Sequence, residues 1–68
     1  KWRNRMSEKY LLSVREASEL YGIGRDRIYE LIRSDSGFPV VKIGGNYKVN
    51  KPLLEAWLDK ITIEGRTL

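Results

Sequence analysis

A chain of 68 residues makes one domain, and at that size only roughly 60% of the unfolded surface is buried, which leaves little room for a cleft lined with catalytic groups. With no Cys and no His, disulfides, cysteine nucleophiles, imidazole bases and the usual zinc sites are excluded, so neither an enzyme nor a cofactor or metal is expected. No apolar run approaches the roughly 20 residues of a membrane span and no secretory h-region is present, so the expected setting is the cytoplasm. The chain starts at Lys1 and not at Met, so an upstream piece is expected to be missing.

Lys1 to Lys9 has no period and carries only Trp2 and Met6 as large apolar groups; residues 1–9 read as a basic arm. Two readings stand for it. It follows a phosphate backbone or enters a minor groove, or it is a loose end whose indole docks on the core. Tyr10-Leu11-Leu12 is a short extended entry, one N-terminal strand at most.

From Ser13 to Arg33, SVREASELYGIGRDRIYELIR, the pattern predicts helix, tight turn, helix. Ser13 and Glu16 have capping-box spacing. Val14, Ala17, Leu20 and Tyr21 recur at three- and four-residue steps, one apolar stripe on one helical face. Gly22-Ile23-Gly24 interrupts, with glycine suited to the left-handed conformation that ends a helix and Ile23 placed to plug the angle between the two. Gly24 serves as a weak N-cap for a second helix from Arg25 to about Ser34, with Ile28, Leu31 and Ile32 as its buried stripe. Two short helices joined by a glycine-containing turn follow the helix-turn-helix plan, which ordinary helical hairpins share.

Ser34 to Pro39 carries strong turn signals, with Phe38 expected beneath the loop as a core plug. Val40-Val41-Lys42-Ile43 and Tyr47-Lys48-Val49 flank Gly44-Gly45-Asn46, a hairpin signature. Apolar alternation favours the register in which Ile43 faces Tyr47 and Val41 faces Val49. One face of the ribbon then lies on the helices, and the other presents Lys42 and Lys48 as a basic wing. At the tip, Asn46 either contacts a base edge or a phosphate, or is there for the turn's conformation. Asn50 is expected to cap a third helix, with Pro52 in its first turn and Leu54, Trp57, Leu58 and Ile61 as its stripe, Leu53 helping. Residues 10–61 thus form an α+β domain of about three helices and a two-stranded wing. Residues 62–68 are expected to be a flexible tail, with Ile63 and Leu68 available to a partner.

Charge follows these elements. Residues 1–5, 25–33 and 42–51 hold nine bases and two acids, a net +7, and the remainder holds four bases and seven acids, a net −3. Base-rich segments on an otherwise acidic chain are the footprint of a face that binds a polyanion. On the second helix, 100° per residue puts Asp26, Glu30 and Arg33 opposite the apolar stripe, Tyr29 and Arg27 on its flanks and Arg25 in the first turn. A recognition helix points such residues into the major groove, where arginine donates to guanine O6 and N7 or to phosphate. Asp26 and Glu30 accept from cytosine N4, or hold Arg27 and Arg33 by near-neighbour pairing, or stand as helix-stabilising charges on a solvated face.

The segments LLSVREASELYGIGRDRIYELI, FPVVKIGG and LLEAWLDK, in this order and spacing, resemble the excisionase family of small winged helix-turn-helix proteins. These are recombination directionality factors whose domain is similar to the DNA-binding part of MerR-type regulators. The resemblance covers roughly Leu11 to Lys60. It implies that the second helix enters the major groove and the wing lies along the neighbouring minor groove. By position it implicates Arg25, Asp26, Arg27, Tyr29, Glu30, Arg33, Lys42, Asn46 and Lys48 in binding double-stranded DNA. It further implies copies bound side by side near the end of an integrated phage or conjugative transposon, bending the DNA and recruiting a tyrosine recombinase (integrase) so that excision prevails. This sequence has Gly24 where the family often has Ser or Thr, Gly-Gly-Asn at the wing tip where Arg is common, and Glu30 at a position often basic. A transcription regulator built on the same domain is the alternative function, and a protein-interaction adaptor that does not bind DNA is a third.

Overall fold

Among the described residues the elements are β1 (Leu11–Ser13), α1 (Val14–Tyr21), α2 (Arg25–Ser34), β2 (Val40–Ile43), β3 (Asn46–Asn50) and α3 (Lys51–Glu64). They come from a computed structural model that describes residues 9–34 and 37–68. The fold is the expected α+β one, three helices with a small antiparallel sheet. The extended entry is a real strand, so the sheet has three strands in the order β1-β3-β2. The arm expected at residues 1–9 lies, apart from Lys9, outside the described residues.

Local chemistry sets each helix boundary. Ser13 Oγ accepts from the Glu16 N–H at 3.0 Å, and Glu16 Oε1 accepts from the Ser13 N–H at 2.9 Å. This completes the capping box that the sequence spacing predicts. α1 stops at Gly22, whose φ of +71° is left-handed and whose N–H donates to the Ser18 carbonyl at 2.9 Å. Two residues later the Gly24 carbonyl accepts the first bond of α2, from the Ile28 N–H at 3.0 Å. Asn50 Oδ1 caps α3 by accepting from the Leu53 N–H at 3.0 Å, with Pro52 in the first turn.

The core gathers one stripe from each element. Leu12, Ala17, Ile28, Val49 and Leu54 are fully buried, joined by Val14, Leu31, Phe38, Trp57 and Ile61. Phe38 is the plug expected of it, and its ring meets Trp57 edge-on at 5.0 Å between centroids. Leu53, by contrast, is 56% exposed and adds nothing to the stripe of α3. α1 and α3 are also tied at the surface, where the Tyr21 hydroxyl donates to Glu55 Oε2 at 2.6 Å and Lys51 Nζ donates to the same oxygen at 2.9 Å. Burial, and then this bond to a carboxylate, push the Tyr21 phenol well above its ordinary value.

The hairpin register differs from the expected one by a residue. Val40 pairs with Val49, Val41 with Lys48, Lys42 with Tyr47 and Ile43 with Asn46. Only Gly44 and Gly45 remain as the turn, and Gly44 has φ +61°, the first-position glycine that a type II′ turn requires. A one-residue shift exchanges the faces of a strand. Val40 and Lys42 therefore share the inner face with Tyr47 and Val49, while Val41 and Ile43 stand outside at 44% and 51% exposure. The expectation that Lys42 and Lys48 share one outward face is thereby overturned. Non-local packing decides the matter: β1 pairs Leu12 with Val49, and both are completely buried, which places Val40 on the inner side.

α3 also passes the boundary expected at residue 61. It runs through Glu64 to Gly65, whose N–H donates to the Ile61 and Thr62 carbonyls. The following turn brings Leu68 back against the core. The signal was a glycine at the position after the last helical residue, where helices commonly end.

Candidate nucleic-acid interface

α2 is anchored by Ile28 and Leu31, both buried, with Ile32 packed beside them. Because those positions fix the rotation of the helix, Arg25, Asp26, Arg27, Tyr29, Glu30 and Arg33 all emerge as exposed. The angular sorting made from the sequence therefore holds in the structure. Of the pairings considered for the two acids, one forms. Arg27 Nη1 donates to Glu30 Oε1 at 2.7 Å, with the two side chains 51% and 54% exposed. Arg25, Arg33 and Asp26 make no ion pair among the described residues. The pair holds the Arg27 guanidinium against its own helix while leaving its remaining donors to solvent.

The wing presents its cations on two faces. Lys42 extends along the inner face beyond the core, its Nζ 5.5 Å from the centre of the cross-strand Tyr47 ring, a cation–π distance. Lys48 lies in the central strand on the outer face, opposite Val41 and Ser13 and half-buried. Asn46 opens β3 beside the turn and is exposed. Lys51, within the basic segment 42–51, has a side chain only 16% exposed and bound to Glu55, so it belongs to the α1–α3 tie.

Among the described residues, two clefts that border α2 stand out. One, of about 480 Å³, is lined by Arg27, Glu30, Leu31, Arg33 and Ser34 together with Thr67 and Leu68. The end of the chain thus lies against the flank of α2. The other, of about 510 Å³, lies between α1 and the start of α2 and is lined by Arg15, Ser18, Glu19 and Arg25. The sequence reading passed over Arg15 because summing charge by segment averages it with its neighbours Glu16 and Glu19. Its spacing from Ser18 and Glu19, three and four residues, was the available signal that all three share a helical face.

The fold puts a short helix, a three-residue turn and an arginine-bearing second helix beside a β-hairpin, all on one core. The family model described as a helix-turn-helix domain matches residues 11–62. The chain belongs to the helix-turn-helix domain family. No curated protein and no solved structure matches it. A helix-turn-helix domain is a DNA-binding architecture in which the second helix reads the major groove. In this helix-turn-helix domain the second helix of the motif is α2, and its exposed face carries three arginines. No helix among the described residues is long and apolar enough to cross a membrane.

Proposed function

We propose that this domain is a sequence-specific, architectural DNA-binding protein that promotes excision of a mobile element, a phage or conjugative transposon, in partnership with a tyrosine recombinase. The observation that carries the DNA-binding part is the exposed face of α2, with Arg25, Arg27 and Arg33 held outward by the buried Ile28 and Leu31. Arg27, in the first turn, meets base edges, because the N-terminal part of a recognition helix enters the groove most deeply, and Arg25 at the helix start is placed to donate to phosphate. Tyr29 and Arg33 flank them, and Asp26 and Glu30 limit indiscriminate attraction to phosphate. Lys42, Lys48 and Asn46 supply contacts from the wing. The excision role rests on the resemblance of Leu11 to Lys60 to the excisionase family. Side-by-side binding of copies and an induced bend in the DNA belong to the same reading. Binding energy alone does the work: phosphate contacts position the domain, base contacts choose the site, and bent DNA exposes more surface to contact. No catalytic group is assigned to the chain, and the cytoplasm is its proposed setting.

Binding to duplexes from the ends of the parent element, against random DNA and across a salt series, tests this reading. Salt-sensitive binding with a clear preference and an added bend, together with loss of excision in cells lacking the protein, is the expected result. Preference for a nearby promoter without an effect on excision would make the domain a transcription regulator. Failure to bind any DNA would refute both and leave the adaptor.

A further inference from the structure

Arg15 and Arg25 come from different helices and line one cleft, with Ser18 and Glu19 completing its wall. Among the described residues Arg15 is held there only by Glu19, at 3.4 Å, and the two side chains are 75% and 58% exposed. That is long for a charge-assisted hydrogen bond, and a pair so exposed to water contributes little. The Ser18 hydroxyl has no hydrogen-bond partner among the described residues, although the Ser18 carbonyl is engaged by Gly22. Arg25 opens α2, and the preceding Gly24 has no side chain with which to cap the free amides of that first turn. Two guanidinium groups, a free hydroxyl and an uncapped helix start therefore border one open cleft, against a single carboxylate.

From this convergence we infer that the α1–α2 cleft seats one backbone phosphate of bound DNA, clamped by Arg15 and Arg25 with Ser18 as a third donor. Glu19 occupies Arg15 in the free protein and is the anion that the phosphate displaces. The inference rests on the DNA-binding reading and extends it to α1, to which the sequence assigned no contact. A phosphate clamp acts on affinity and orientation without reading sequence. Its contribution is therefore equal on preferred and random DNA, and Glu19 sets its strength.

The test is titration of duplex DNA, preferred and random, with the parent protein and with Arg15→Ala, Arg15→Lys and Glu19→Gln. Far-ultraviolet circular dichroism checks that these exposed-site variants keep their helices. Arg15→Ala is expected to weaken binding about tenfold on both duplexes, the loss of one charge-assisted contact. It should also reduce the slope of log K against log salt by about 0.9, one phosphate's worth of counterion release. Arg15→Lys should keep the parent slope, and Glu19→Gln should tighten binding to both duplexes. Replacing backbone phosphates one at a time with neutral methylphosphonates should reveal a position that costs the parent clearly more affinity than it costs Arg15→Ala, in which Arg25 and Ser18 still face that phosphate. If the parent binds DNA and Arg15→Ala binds with the same affinity and slope, the clamp is refuted while DNA binding stands. Loss confined to the preferred duplex would also refute it, by making Arg15 a base reader. A parent protein that binds neither duplex would overturn the clamp together with the proposed function.

Discussion

Replacing Gly22 with alanine isolates the conformational cost of the turn between the two helices of the motif. Gly22 sits at φ +71°, and a methyl group added there would meet no atom within 4 Å. No steric or packing effect therefore enters, only the backbone. Holding an L-residue in the left-handed region costs roughly 1–2 kcal/mol, and alanine recovers about 0.4–1 kcal/mol by restricting the unfolded chain. The net loss is about 1 kcal/mol, which in a domain this small lowers Tm by about 4–8 °C. Gly22→Asn should lose less, because asparagine tolerates the left-handed region better. Gly24 provides the internal control. It also has open space around it, but its φ is not left-handed, and its carbonyl accepts the first bond of α2. Gly24→Ser therefore adds a capping hydroxyl and should raise stability by a few tenths of a kcal/mol. Thermal unfolding followed by far-ultraviolet circular dichroism, backed by urea titration, measures both. If Gly22→Ala melted at or above the parent, or if the two substitutions moved Tm in the same direction, the assignment of different backbone roles to the two glycines would be wrong.

Arg27→Ala should weaken binding to the preferred duplex by about tenfold or more and erode its preference over random DNA, because a base contact is worth roughly 1–3 kcal/mol of discrimination. That pattern, measured by competition titration, is distinct from the uniform loss expected of Arg15→Ala. Phe38→Leu keeps most of the buried bulk but removes the edge-on contact with Trp57. It should cost on the order of 1 kcal/mol, read as a lower urea midpoint at unchanged slope. The Glu16 carboxyl lies below its ordinary value of 4.5, held down first by the bond from Lys9 and then by the Ser13 backbone N–H. Folding thus favours its ionised form, so its contribution is present above pH 4.5 and is lost as pH falls through the lower, folded value. Glu16→Gln should be less stable near neutrality and show a shallower loss of stability below pH 4.5, which urea midpoints over a pH series would reveal.

What could be read from the sequence is what short-range chemistry decides. Ser13 with Glu16, Gly22, and Asn50 with Pro52 each mark a helix end within a few residues of chain, and each end falls where the spacing put it. The exposed face of α2 followed from the same periodicity. The wing did not, because VVKI accepts two registers and apolar counting prefers the wrong one. The pairing of Val49 with Leu12, 37 positions away in the sequence, decides between them. Glu55 illustrates the same limit. Nothing near it in the chain marks it as the acceptor of the Tyr21 hydroxyl from α1, 34 positions away. The Arg15 cleft needs α1 and α2 at their observed angle before two separate arginines become one site.

Ser13 is both the last residue of β1 and the cap of α1, and Asn50 is both the last residue of β3 and the cap of α3. The Lys51 N–H donates to the Tyr10 carbonyl at 2.9 Å and the Asn50 N–H to the Pro39 carbonyl at 3.1 Å, cross-bracing the same junctions. These joints contain no slack: swinging the sheet against α1 or α3 would first uncap a helix. On the proposed DNA-binding reading, a domain braced at these joints presents a stiff surface, and the compliance needed to fit it to a groove comes from the duplex. Base steps that the protein never touches then influence affinity through how readily they deform.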